Sequence, residues 1–256
     1  MSDKIVMVLC DGLGDEPARD RMGYLEHLVE ERAATRYTSR AVLPTNSRPN
    51  YESLHTGLAP LHHGKTSNFV PGLSTQPNVF SLATAAGMTT AVISYYWFSE
   101  LYHSSPFDIV DHAEYDHAEG GITFGRFYRE DSQPDSEIMV RGALLARRYQ
   151  PDYLLVHPMG IDHAGHEHGG ASIEYGQAVS NVDQMLAVAL PMWLGLGYSV
   201  IVTSDHGHDG YRYHGGTEDV VRSVPLYAIP ANGRGRGAQV EVLSQLQVAP
   251  RICTTL

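Results

Sequence analysis

The chain has 256 residues, 43% of them hydrophobic and 18% charged, and its 29 Asp and Glu against 18 Lys and Arg give a formal net charge of −11. That length and apolar content exclude a disordered chain and suffice for one large α/β domain, while the negative field excludes a nucleic-acid polymer or an anionic membrane as the main partner. The two cysteines, Cys10 and Cys253, lie far apart in no CxxC pattern, which excludes a disulfide framework and fits a reducing compartment.

The N-terminal MSDKIVMVLCDG carries a short apolar run and no small-residue cleavage site, so it reads as a strand and not as a signal peptide. Helical patterning comes next over 22–33, 50–57 and 78–86, then a strand at TTAVISYY (89–96). The stretch 105–133 is the least regular and is expected to form a small lid or lobe. A helix over 134–149 leads to the strand DYLLVHP (152–158), a helix over 172–190 to YSVIVTSD (198–205), and VPLYAIP (224–230) is the last strand expected. Continuous apolar strands of this kind are buried on both faces. Their alternation with helices predicts one domain over 1–256: an α/β three-layer sandwich, with a mostly parallel sheet and helices on both faces. No apolar stretch approaches the ~18 residues of a membrane span, so a soluble cytoplasmic protein is expected.

The residues just beyond the strands are more specific. Strand 5–10 runs into Asp11-Gly12, strand 152–158 into GIDHAGHEHGG with Asp162 and His166, and strand 198–204 into Asp205-His206, with His214 eight residues on in YRYHGGTE. Ligands of parallel α/β sheets bind at the carboxyl ends of the strands, so the three clusters should meet at one rim. Three carboxylates and three imidazoles suit one or two borderline cations such as zinc. Each residue alone reads equally well as a solvated histidine or a capping aspartate; the set favours metal.

A second informative stretch is LPTNSRPNYESLHTGLAPLHHGK (43–65), where a polar loop leads into a helix expected to start near Asn50. A hydroxyl there, Ser47, can attack phosphorus beside the anion-stabilising helix end, or merely cap the turn. His163, His168 and His208 lie beside the presumed ligands and suit supporting hydrogen bonds better than ligation; His63 suits a structural role. Tyr95, Tyr96 and Trp97 come directly after a strand and either line a substrate pocket or pack as core.

In order, the segments CDGLGD, PTNSRPNYESLHTG followed by HHG, DHAGH, SDHGH, HGG and LQVAPRIC resemble the alkaline phosphatase superfamily, most closely its nucleotide pyrophosphatase/phosphodiesterase branch. The resemblance spans nearly the whole chain. It implies that Asp162, His166 and His214 hold one divalent ion and Asp11, Asp205 and His206 a second, with Ser47 as its further ligand; zinc is expected, and manganese is the alternative. It also implies that Ser47 is the nucleophile, forming a covalent intermediate, and that Asn50 donates to a phosphoryl oxygen beside the Ser47 amide. The LQVAPRIC segment looks like the family's last helix.

The sequence departs from the diesterase pattern at Arg48, where nucleotide-cleaving members place an aromatic. A guanidinium pairs naturally with a carboxylate or phosphate. Arg48, with Tyr96 and Trp97, is therefore expected to bind a small anionic phosphoester or phosphonate. Phosphonate or phosphomonoester hydrolysis and a phosphoglycerate mutase-like phosphotransfer are the alternatives, while Tyr51, where a sulfatase needs arginine, speaks against a sulfatase. A non-catalytic metal-binding scaffold would need neither Ser47 nor Asn50.

Overall fold

The computed structural model describes residues 4–231 and 233–256. Among the described residues the strands are β1 (Lys4–Leu9), β2 (Thr35–Arg40), β3 (Thr90–Tyr95), β4 (Glu114–Tyr115), β5 (Phe124–Tyr128), β6 (Tyr153–Val156), β7 (Tyr198–Thr203), β8 (Ser223–Ile229) and β9 (Gly237–Ser244). The helices that bear on the argument are α1 (Asp15–Arg21), α2 (Gly23–Glu30), α3 (Ser47–Thr56), α4 (Pro60–His63), α5 (Val79–Ala85), α6 (Trp97–Tyr102), α7 (Asp135–Tyr149), α8 (Gly160–His168), α9 (Ile173–Gly195), α10 (Asp219–Arg222) and α11 (Val248–Thr255).

The strands form one sheet in the order β4-β5-β3-β6-β1-β7-β8-β2-β9. Its centre is parallel, β1 lying between β6 and β7, while β8 is antiparallel to both β7 and β2. The reversal at β8 matters for the site. Because β2 is antiparallel to a strand that is itself antiparallel to β7, β2 points the same way as β1, and the loop beyond it reaches the same rim.

The mostly parallel α/β sandwich expected from the apolar runs is thus found. Alternate residues of β1 serve its two faces: Val6 and Val8 belong to one buried cluster with residues of α2, α7 and α9, and Ile5, Met7 and Leu9 to the other with residues of α3, α5, α6 and α11. This two-sided burial is why the strand reads as uninterrupted apolar sequence.

Four strands carry no such apolar signature. β2 (TRYTSR) is polar except at Tyr37, β9 (GAQVEVLS) interleaves polar with apolar residues, and β4 and β5 fall within 105–133. That stretch supplies strands to the sheet edge, β5 pairing with β3. Among the described residues no helix is long and apolar enough to cross a membrane.

The turn after β1 sets how closely the two halves of the rim approach. Gly12 has φ +73°, and a Cβ there would lie 2.8 Å from the Asp162 Cα. Replacement by alanine combines left-handed strain with overpacking. Gly12→Ala is expected to lower unfolding free energy by about 2–4 kcal/mol, read by equilibrium urea denaturation; a loss under about 0.5 kcal/mol would show that the approach is not tight.

Candidate metal centre and nucleophile

Asp11 lies just beyond β1, His157 beyond β6, and Ser204, Asp205 and His206 beyond β7. Residues 160–168 are a helix, α8, which is not among the helices expected from the sequence. The helix sets Asp162 and His166 one turn apart on one face. Its N-terminus is fixed by Asp135, whose Oδ1 accepts the Gly160 N–H at 3.0 Å.

The carboxylates Asp11, Asp162 and Asp205 and the imidazoles His206 and His214 are all buried. Two overlapping groups place their ligand atoms within 4.8 Å of one another: Asp11, Asp205 and His206, and Asp162, His206, His208 and His214. His206 Nε2 is 3.2 Å from Asp205 Oδ2 and 3.6 Å from Asp11 Oδ1. His166, whose side chain is 42% exposed, places Nε2 3.4 Å from Asp162 Oδ2 and 3.1 Å from His214 Nε2. The six carboxylates and imidazoles expected to hold metal therefore converge, with His166 on the solvent side.

The ring orientations have a common cause. Nδ1 of His206 faces the Gly207 carbonyl (3.2 Å), Nδ1 of His214 the Thr45 carbonyl (2.8 Å) and Nδ1 of His166 the Arg212 carbonyl (3.4 Å). A carbonyl only accepts, so each Nδ1 carries the proton and each Nε2 presents its lone pair to the centre. This is the usual way a metal-binding imidazole is oriented. His206 and His214 also stack, with ring centroids 3.7 Å apart.

Burial pushes the Asp11 and Asp205 carboxyls well above the usual carboxylate range, and neighbouring carboxylates push them further. Burial would raise Asp162 too, but a hydrogen bond from His208 and the imidazoles of His206 and His214 hold it below the usual range. Burial depresses His206 and His214, so both stay neutral. Asp11 Oδ1 and Asp205 Oδ2 are buried with no hydrogen-bond partner. Orphaned carboxylate oxygens facing neutral imidazole lone pairs are the donor set a divalent cation satisfies, so the residues fit the metal that the sequence implied.

Residues missed by the sequence reading complete the shell. Tyr51 donates its hydroxyl to Asp11 Oδ2, and His157 Nε2 lies 3.0 Å from the same oxygen, which leaves Oδ1 free. His208, expected to support, approaches the other side of Asp162, with Nε2 2.7 Å from Oδ1. Its ring fits only because residue 165 is glycine, where a Cβ would lie 2.4 Å from the ring. His157 stands directly beyond a strand and is legible as a rim residue; Tyr51, in the middle of a helix, is not.

The helix expected to begin near Asn50 begins at Ser47. Ser47 is 4% exposed, and its Oγ lies 3.2 Å from His206 Nε2. Asn50 does not face the rim. Its amide donates to the carbonyls of Pro44 (3.1 Å) and Asn46 (2.8 Å) and is wholly buried, which removes it as a phosphoryl donor. Asn68 is placed instead beside Ser47: its Oδ1 accepts the Arg48 N–H at 3.0 Å, and its Nδ2 has no protein acceptor among the described residues.

Arg48 is buried, not free at the mouth. Its Nη2 pairs with Glu100 at 2.7 Å, its Nε donates to the Asn68 carbonyl at 3.1 Å, and its guanidinium lies 4.5 Å over the Trp97 ring. Trp97 and Tyr96 are half-buried; Tyr96 packs on Phe107 at 5.3 Å. His163 faces Asp131 at 3.4 Å, His168 is exposed, and His63 lies behind α3 against Ser53 at 2.9 Å.

Comparison with known proteins gives this arrangement a context. The chain is 27% identical over 237 residues to the catalytic subunit of human GPI ethanolamine phosphate transferase 2, an alignment covering 88% of this chain but 23% of that protein. The chain thus spans about a quarter of the length of that curated relative. Its fold is similar to that of murine ectonucleotide pyrophosphatase / phosphodiesterase 5, solved as an inactive variant with AMP (TM-score 0.78, 12% identity, 99% of this chain and 94% of that one). It is also similar to that of phosphonoacetate hydrolase from Sinorhizobium meliloti in complex with phosphonoacetate (TM-score 0.59, 20% identity, 80% and 57%). The profile of one family, described as type I phosphodiesterase / nucleotide pyrophosphatase, matches residues 5–249. The chain belongs to the type I phosphodiesterase / nucleotide pyrophosphatase family, within the alkaline phosphatase superfamily.

Proposed function

We propose that the chain is a metal-dependent phosphohydrolase in which Ser47 is the nucleophile. The observation that carries this reading is the position of the Ser47 hydroxyl, at the first turn of α3 and 3.2 Å from His206 Nε2, the same nitrogen that faces the orphaned oxygens of Asp11 and Asp205. Asp11, Asp205 and His206, with Ser47 Oγ, would hold one divalent cation, and Asp162, His166 and His214 a second; zinc fits the mixed nitrogen and oxygen set. Such cations supply a lowered hydroxyl pKa and offset charge on the transferring group.

The chain's own residues account for the rest. The Ser47 hydroxyl gives its proton to solvent as Oγ forms a bond to phosphorus, the bond to the leaving oxygen breaks, and that oxygen leaves with a proton taken up from solvent. Water then attacks the phosphoseryl group, the phosphorus–Oγ bond breaks, and a proton of that water restores the Ser47 hydroxyl. Within the first turn of α3, Pro49 has no N–H, the Asn50 N–H goes to the Asn46 carbonyl and the Arg48 N–H to Asn68. The Ser47 N–H is left for a non-bridging oxygen, and the free Nδ2 of Asn68 takes the place expected of Asn50.

Charge sets the substrate class. With Arg48 neutralised by Glu100, the site offers no spare guanidinium, which favours a substrate bearing one negative charge at phosphorus, as in a diester or pyrophosphate linkage, over a small multiply charged anion. A second reading rests on the transferase relative: if an alcohol in place of water attacks the phosphoseryl group, the same residues perform transfer. Comparing turnover of an aryl diester with and without added ethanolamine or glycerol separates the two, because transfer yields a new phosphoester and hydrolysis does not.

Two outcomes are expected. Metal-loaded protein should contain close to two divalent ions per chain by elemental analysis, and Asp205→Ala and Asp162→Ala should each fall to about one; unchanged content in both would remove the assignment. Ser47→Ala should retain most of its metal yet lose at least about 10³-fold in turnover of the aryl diester. Near-normal turnover in that variant would mean direct attack by water.

A further inference from the structure

The loop over residues 66–74 is largely exposed, and Phe69 at its tip is 93% exposed. It nevertheless carries Asn68, whose amide needs a fixed direction to serve as a donor. The loop is gripped from three sides. Lys65 Nζ donates to the carbonyls of Pro71 (3.3 Å) and Gly72 (2.7 Å), Ser74 Oγ donates to Glu52 Oε1 of α3 (2.5 Å), and Arg48 contacts Asn68 itself.

The Arg48 contact is unlike the other two because both of its bonds fall on Asn68 itself. The backbone N–H of Arg48 holds Asn68 Oδ1 at 3.0 Å, which turns Nδ2 away from it, and Arg48 Nε holds the Asn68 carbonyl at 3.1 Å. The guanidinium is locked in turn by Glu100, itself buried, and by the face of Trp97. Ser47 is the residue before Arg48. Nucleophile and donor are therefore joined through one residue, by its backbone N–H and by a side chain whose charge is spent inside the protein.

Resting on the reading of Ser47 as nucleophile, the geometry points to Arg48 as a positioning residue that fixes Asn68 relative to Ser47, and not as a selector of substrate charge. Glu100 and Trp97 serve the same end by fixing the guanidinium. A lysine keeps the charge for Glu100 but has no Nε–H in that place and no planar fork, so it cannot hold both partners.

The test measures kcat and KM of zinc-loaded wild type, Arg48→Lys, Arg48→Met, Asn68→Ala and Arg48→Met/Asn68→Ala on an aryl diester, an aryl monoester and phosphonoacetate. Both arginine variants are expected to lose up to about 10²-fold in kcat, by the same factor on every substrate turned over, with KM little changed. The double variant should be no slower than Asn68→Ala, since Arg48 acts through Asn68. Multiplicative losses, a loss confined to the monoester or phosphonate, or full activity of Arg48→Lys would overturn the proposal.

Hydrogen exchange of residues 66–70, measured on the same zinc-loaded proteins, needs no turnover. It should rise in Arg48→Lys and Arg48→Met while metal content stays constant, and unchanged exchange would also overturn the proposal. If wild type turns over none of the three substrates, the function proposed above fails, and exchange alone decides whether Arg48 fixes the loop. Arg48→Lys keeps the fold testable should Arg48→Met, which strands Glu100, fail to fold.

Discussion

Three carboxylates from three separate segments are buried together at the end of the sheet, and nearly every feature of the rim answers the cost of holding them there. An isolated buried carboxylate is expensive, and like charges side by side are more so. The protein meets part of that cost with its own donors. Tyr51 and His157 occupy one oxygen of Asp11, the Gly12 N–H approaches Asp205 Oδ1 at 3.2 Å, and His208 occupies Asp162 Oδ1. Asp11 Oδ1 and Asp205 Oδ2 have no such donor, and they face the neutral imidazole of His206. The supporting groups thus act as a frame: they satisfy the outward lone pairs and leave Asp11 Oδ1 and Asp205 Oδ2 turned toward His206.

This frame explains residue choices that have no catalytic role. Gly12 lets the turn after β1 approach α8, and Gly165 lets the His208 ring lie against that helix. Asp135 holds the start of α8, and burial raises its carboxyl to about 6 while the Gly160 N–H and nearby imidazoles oppose the rise. The rim is consequently built on helix ends and strand ends, while the loop bearing Asn68 is tethered to α3 by side chains.

The two similar structures and the human sequence relative carry names that record different outcomes. The murine structure is named as a pyrophosphatase / phosphodiesterase, the Sinorhizobium structure as a phosphonoacetate hydrolase and the human relative as an ethanolamine phosphate transferase. Such divergence is expected because a fold does not fix a function, which lives in the residues placed at its site. In this chain the groups beside Ser47 include Arg48, Glu100, Trp97 and the loop of Asn68. The pairing of Arg48 with Glu100 changes the charge presented there from positive to neutral.

How much is legible in the sequence depends on how far each property reaches. Strands buried on both faces announce themselves as apolar runs, so β1, β3, β6, β7 and β8 can be read directly, and with them the rim residues Asp11, Asp162, Asp205 and His206. β2 and β9 pair with each other at one edge, where half of each strand meets solvent, and their alternating pattern hides them. That α8 is a helix is hidden too, because its glycine- and histidine-rich sequence has little intrinsic preference, and its cap, Asp135, comes from 25 residues earlier.

The sequence by itself determined the sheet's core and the order along the chain of the segments that meet at the rim, because those depend on local pattern. Only the tertiary structure decided which way each side chain points. It turned Asn50 inward, brought Asn68 beside Ser47 and placed Glu100 against Arg48, 52 positions away. Hydrogen-bond direction and charge pairing are set by what the folded chain brings within about 3 Å, and no pattern of spacing along the chain encodes that.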